Sequence, residues 1–221
     1  MAWLHMHDEN LSTLPAVQRL ALSYCAGEER EAMLTLLTLD NRLADAVRRA
    51  GEPVIAQIKL AWWRDRLGEP PGAWPEGEPL LEQLRGWPGD LAALRMLVDG
   101  WEALLSEQFD AVAVDEFAGG REIAWRALAR GLRGDDAQDN ASAARRWALA
   151  DLALKLGNPA ERDVVRRALD AASPPARPGA VLRPLAVLGG LSLRALQRGS
   201  ADALDGPGAL FAALRIGLSG R

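Results

Sequence analysis

Two carboxylates four residues apart on a helix project from one face, and two such helices facing each other can cage Mg2+ around a diphosphate leaving group. The acids of this chain that come closest to that pattern are Asp40, Asp45, the run Asp135-Asp136-Ala137-Gln138-Asp139, and Asp151 with Glu161 and Asp163. Asp40 is the most informative. Its helical neighbours are Leu36, Leu37, Leu43 and Ala44, so it lies on an apolar stripe where an unpaired carboxylate is costly to desolvate. It therefore needs either a partner, for which Arg64 and Gln57 are candidates, or a wet cavity. Asp45 has Asn41, Arg42, Arg48 and Arg49 beside it and reads as an exposed charge paired with arginines. The Asp135 run follows Gly131 and Gly134 and precedes a helix, which is the setting of a solvated loop whose acids cap the next element.

Composition removes several other chemistries. The 221 residues carry 26 Lys and Arg against 30 Asp and Glu, a formal net charge of -4, so no broad basic face is available for a nucleic-acid backbone. Cys25 is the only cysteine, and the two histidines, His5 and His7, sit beside the N-terminus. A disulfide, a cysteine-held metal cluster and a histidine dyad in the core are all excluded or hard to build. The first residues lack the basic and apolar regions of a signal peptide, and no run of about 18 apolar residues occurs. A soluble, cytoplasmic protein is expected. Eight tryptophans against one tyrosine and three phenylalanines are an unusual preference. Trp62, Trp63, Trp101, Trp125 and Trp147 fall on predicted helices, where they can fill a core or line a long apolar tunnel.

The elements that position these residues are helical. Ala, Leu, Arg and Glu dominate, and they lose little side-chain freedom in a helix. The spacing predicts a first helix over Leu14 to Cys25, capped by Ser12 or Thr13 with Pro15 in its first turn. A second runs from Glu28 to Ala50 with one apolar stripe, and a third from Pro53 to Leu67. Pro70, Pro71, Pro75 and Pro79 with Gly68, Gly72 and Gly77 make the next stretch a surface loop. Further helices are expected at Leu80 to Arg85, Asp90 to Phe109, Asp115 to Leu132, Ala141 to Leu156 (capped by Asp139 or Asn140), Ala160 to Ala172, Ala180 to Arg198 and Gly208 to Leu218. No repeat or composition shift divides the chain. An all-α, single-domain bundle spanning residues 1–221 is the expected architecture.

The stretch from Arg19 to Leu67, and above all Trp62-Trp63-Arg64 after a helix ending in Leu43-Ala44-Asp45-Ala46-Val47-Arg48, resembles the squalene/phytoene synthase family of head-to-head isoprenoid synthases. In that family the first aspartate motif would fall on Ala44 and Arg48, where this chain has no acid; only the central Asp45 keeps a carboxylate. The second motif would fall within Arg145 to Asp163, which holds Asp151, Glu161 and Asp163 but no four-apart pair. The short connection from Ala46 to Arg64, together with Leu43, Ala44 and Glu52, is similar to a non-synthase branch related to assembly factors for respiratory complex I.

The resemblance implies an isoprenoid-synthase-type bundle that is noncatalytic and acts as a lipid-binding or assembly and interaction protein, with no catalytic or metal-binding residues and no cofactor. Asp40, Ala44, Gln57, Trp63 and Arg64 are its ligand-pocket candidates. A prenyl or other lipid, or a protein partner, would be bound. The apolar final segment Gly206 to Leu218 would cover the bundle, pair with another subunit or rest on a membrane surface. Two alternatives stand beside this reading: a divergent prenyltransferase acting on prenyl diphosphates with Mg2+ through Asp40, Asp45 and the Asp135 run, and a plain helical interaction module without a pocket.

Overall fold

A run of nine buried residues, Ala32 to Asp40, lies in the middle of the longest predicted apolar helix. In the computed structural model, which describes residues 11–25, 27–133, 138–173 and 180–219, this helix is the axis of the molecule. It is α2, Gly27–Arg48, preceded by α1, Ala16–Leu22, and followed by α3, Pro53–Gly68. Then come α4 (Pro79–Leu84), α5 (Leu91–Ala103), α6 (Ala111–Arg133), α7 (Gln138–Lys155), α8 (Pro159–Ala171), α9 (Arg183–Arg198) and α10 (Gly208–Ser219). Among the described residues the protein is all-helical, without strands.

One hydrophobic cluster runs from Leu14 to Ile216 and draws on every one of these helices. The helix α2 packs against α1, α3, α4, α5 and α6. Its middle is therefore buried on all sides, as an apolar helix without a polar face must be, and the single stripe expected from its spacing understates this. Around it α5 packs on α6, α6 on α7, α7 on α9, and α9 on both α1 and α10.

Several boundaries differ from the sequence expectation, each for a local reason. The helix α1 begins only after Pro15, whose extended ψ of 146° makes it the N-cap. The helix α6 starts at Ala111 because the Asp110 carboxylate accepts from the backbone N–H groups of Val112 and Ala113, at 2.9 and 3.0 Å. Asn140, expected as a cap, lies inside α7 and is buried. Asn158 caps α8 instead, accepting from Ala160 N–H at 3.0 Å. The proline-rich connection after α3 is not wholly a surface loop: a 3-10 turn at Pro71–Ala73 leads to Trp74, which is buried and donates its indole N–H to the Arg66 and Glu69 carbonyls. Residues 134–137 of the acidic run lie outside the described residues.

Helices α5 and α6 approach each other closely, and glycine makes this possible. A Cβ on Gly120 would lie 2.4 Å from the Met96 carbonyl oxygen, and one on Gly100 would lie 3.0 Å from that of Glu116. Only hydrogen fits at Gly120, and a side chain at Gly100 would need its neighbours to give by a few tenths of an ångström. The neighbouring residues, Trp101 and Arg121, are carried by this contact into the space beside α2.

Candidate functional site

Asp40 meets a buried cation. Its Oδ1 accepts from Arg121 Nε at 3.1 Å and from Trp101 Nε1 at 2.8 Å. Its Oδ2 lies 2.8 Å from Arg121 Nη2, an ion pair without hydrogen-bond alignment. Across the guanidinium, Arg121 Nη1 donates to Asp151 Oδ2 on α7 at 2.8 Å, and Lys155, one turn further on, reaches the same oxygen at 2.7 Å. Arg121 is 1% exposed, Asp40 3% and Asp151 8%. Three helices thus converge on one guanidinium, and the four charges along the chain from Asp40 to Lys155 cancel.

Aromatic rings close the space around this cation. The guanidinium carbon lies 4.7 Å from the Trp147 ring centre, 4.8 Å from Phe117 and 5.1 Å from Trp101. Trp101 meets Phe117 edge-on at 4.9 Å, and Trp125 meets Trp147 edge-on at 5.7 Å. Their negative faces favour a cation. Burial by itself would lower the Arg121 pKa, yet Asp40 and Asp151 outweigh it and leave the group raised above the ordinary value. Burial alone would raise the Asp151 carboxyl. Lys155 and Arg121 overcome that and hold it at about 2.

The five residues expected to line a pocket lie in different surroundings. Asp40 and Ala44 both face the core, Ala44 at 1% exposure. Gln57 is exposed, and it is not a partner of Asp40. Neither is Arg64, which leaves α3 in another direction to pair with Asp99 at 2.6 Å and with Glu102, both on α5. Trp63 is largely buried, with Trp62 edge-on to it at 4.9 Å. One side of Trp63 lines an open groove of about 550 Å3 between α2 and α3, together with Arg42, Asp45, Arg49, Ile58, Lys59 and Trp62. Asp45 sits on the wall of that groove, paired with Arg48 at 2.8 Å and Arg49 at 3.3 Å, as its helical neighbours predict.

Arg121 is the residue that sequence reasoning passed over, although the signal that marks Asp40 marks it too. Its neighbours at three and four residues on α6 are Phe117, Ala118, Ala124 and Trp125, a charge on an apolar stripe. Two such charges of opposite sign in one chain point to each other. Cys25 is a weak candidate for nucleophilic chemistry: burial pushes its thiol up to about 11, far from a reactive thiolate at neutral pH. Among the described residues no three His, Cys, Asp or Glu side chains are grouped so as to hold a metal ion.

Comparison with family models, with curated proteins and with solved structures found no match to this chain. The functional reading therefore rests on the geometry and on the resemblance at Arg19 to Leu67.

Proposed function

We propose that this chain is a noncatalytic bundle of the isoprenoid-synthase type that works by binding a lipid or a protein partner. One observation carries the reading. Carboxylates from α2 and α7, the regions where the family resemblance would put its two aspartate motifs, converge on a cation, and that cation is the guanidinium of Arg121. A guanidinium cannot be exchanged for a metal or released to a substrate.

The described residues around Asp40 and Asp151 do not fit magnesium. Asp40 has Ala44 rather than a second acid four residues on, Asp151 is shared between Arg121 and Lys155, and the surrounding volume is taken by indole and phenyl rings. Metal-assisted ionisation of a diphosphate needs several free oxygen ligands around each ion. Asp45, a second acid of the prenyltransferase alternative, points to the surface groove and is engaged by two arginines; Asp135 and Asp136 of its third, acidic run lie outside the described residues.

Calorimetry with inorganic pyrophosphate, with and without Mg2+, tests the reading directly. No magnesium-dependent heat is expected from the parent protein. Magnesium-dependent pyrophosphate binding that Asp40→Ala or Asp45→Ala abolishes would defeat the noncatalytic assignment. Native mass spectrometry of the purified protein supplies the positive arm, a co-purifying lipid or protein.

A further inference from the structure

The outer face of α3 carries apolar side chains that are left exposed among the described residues. Val54 is 50% exposed, Ile55 43%, Ile58 61% and Trp62 39%, and their spacing places them along one ridge of the helix. Four large apolar side chains in a row on an otherwise charged surface mark an interaction face. The α2 side of the ridge is basic: Arg42, Arg49 and Lys59 line the groove beside Ile58 and Trp62. The acids of the patch are Asp45, already shared by Arg48 and Arg49, Glu52 at the start of α3, and Asp65, one turn beyond Trp62. Arg42 and Lys59 have no ion-pair partner among the described residues. In a chain of net charge -4, this local excess of cations next to an apolar ridge selects an anionic counterpart.

We infer that α3 docks flat on an anionic lipid surface, with Ile55, Ile58 and Trp62 inserted at the headgroup boundary and Arg42, Arg49 and Lys59 against lipid phosphates. A ridge with cations alongside it matches the layered polarity of a bilayer interface, where an indole has its most favourable position. The apolar side chains project outward, with Ile58 the most exposed, so they can enter a soft surface without a shaped pocket to receive them. No described helix is long and apolar enough to cross a membrane, so contact of this kind would be peripheral. The inference is independent of the noncatalytic reading, because the residues lie on the outer face and the assay needs neither magnesium nor a diphosphate.

Sedimentation of the full chain with vesicles of phosphatidylcholine, or of phosphatidylcholine mixed with phosphatidylglycerol, tests it. Binding should require phosphatidylglycerol and weaken as salt rises. Neutralising Arg42 and Lys59 together (R42Q/K59Q) should lower partitioning about 25-fold, from roughly fivefold for each cation at the surface. Ile58→Asp should lower it by about tenfold or more, with an unchanged melting curve because the side chain is exposed in the parent. Phe211→Asp serves as a control on the other exposed apolar face, that of α10, where Phe211 is 74% exposed, and should leave binding unchanged. Absence of binding to phosphatidylglycerol vesicles at low salt would overturn the inference. So would equal binding to phosphatidylcholine alone, or loss of binding in Phe211→Asp but not in Ile58→Asp. An acidic amphipathic peptide that binds in an Ile58-dependent way, without vesicle binding, would assign the face to a protein partner instead.

Discussion

Replacing Arg121 by Met removes the guanidinium while leaving an unbranched apolar stem between Trp101, Phe117 and Trp147. The two acids are then affected unequally. Asp151 keeps Lys155 at 2.7 Å, whereas Asp40, 3% exposed, keeps only the Trp101 N–H at 2.8 Å. Removing one partner of a buried pair costs about 3–5 kcal/mol because the other charge is stranded, and most of that should come from Asp40. Against a total stability on the order of 5–15 kcal/mol, the loss is large enough to read in a urea titration at pH 7. Adding Asp40→Asn should recover most of the loss, since the amide oxygen can still accept from Trp101 without carrying charge. A deficit under about 1 kcal/mol at pH 7, the size of an exposed pair, would refute the claim that this network is a buried keystone. A double variant no better than the single one would refute the assignment of the cost to Asp40.

Acid stability should show the signature of Asp151, whose folded pKa of about 2 lies below its ordinary value of 3.8. A depressed carboxyl adds stability that is complete above its unfolded pKa and disappears as pH falls from about 4 to 2, here roughly 2 kcal/mol. Urea midpoints between pH 6 and 2 should fall less steeply for Asp151→Asn than for the parent, and identical slopes would remove Asp151 from the account. Gly120→Ala should lower the melting temperature, costing about 1–3 kcal/mol, because its Cβ would meet the Met96 carbonyl at 2.4 Å. Gly189→Ala on α9, whose nearest contact would be Trp147 Cβ at 3.8 Å, should be neutral or stabilising by up to about 1 kcal/mol. Equal effects at the two glycines would show that the α5–α6 approach is not set by backbone contact.

The final helix shows how far a local reading can go. The segment Gly206 to Leu218 was expected to cover the bundle, pair with another subunit or meet a membrane, and α10 does pack on α9 through Ala209, Ala213 and Ile216. Its other face, with Leu210, Phe211, Leu214 and Leu218, stays exposed. Apolar content on its own does not reveal which side of a helix has a neighbour. Asp40 is the parallel case in the core. Its position among leucines shows that it needs a partner or a wet cavity, but neither candidate partner, Arg64 or Gln57, meets it; the partner is Arg121, 81 residues away.

The all-helical class, the approximate helix positions, the exposed pairing of Asp45 and the anomaly at Asp40 are written in the order of residues, because each depends on neighbours within one or two helical turns. The identity of the cation between α2 and α7 is not. It depends on Gly100 and Gly120 letting two helices touch, on Trp101 and Arg121 following those glycines, and on α7 arriving from the far side with Asp151 and Lys155. Those contacts join segments scattered along the chain, and only packing of the whole bundle brings them within hydrogen-bonding distance.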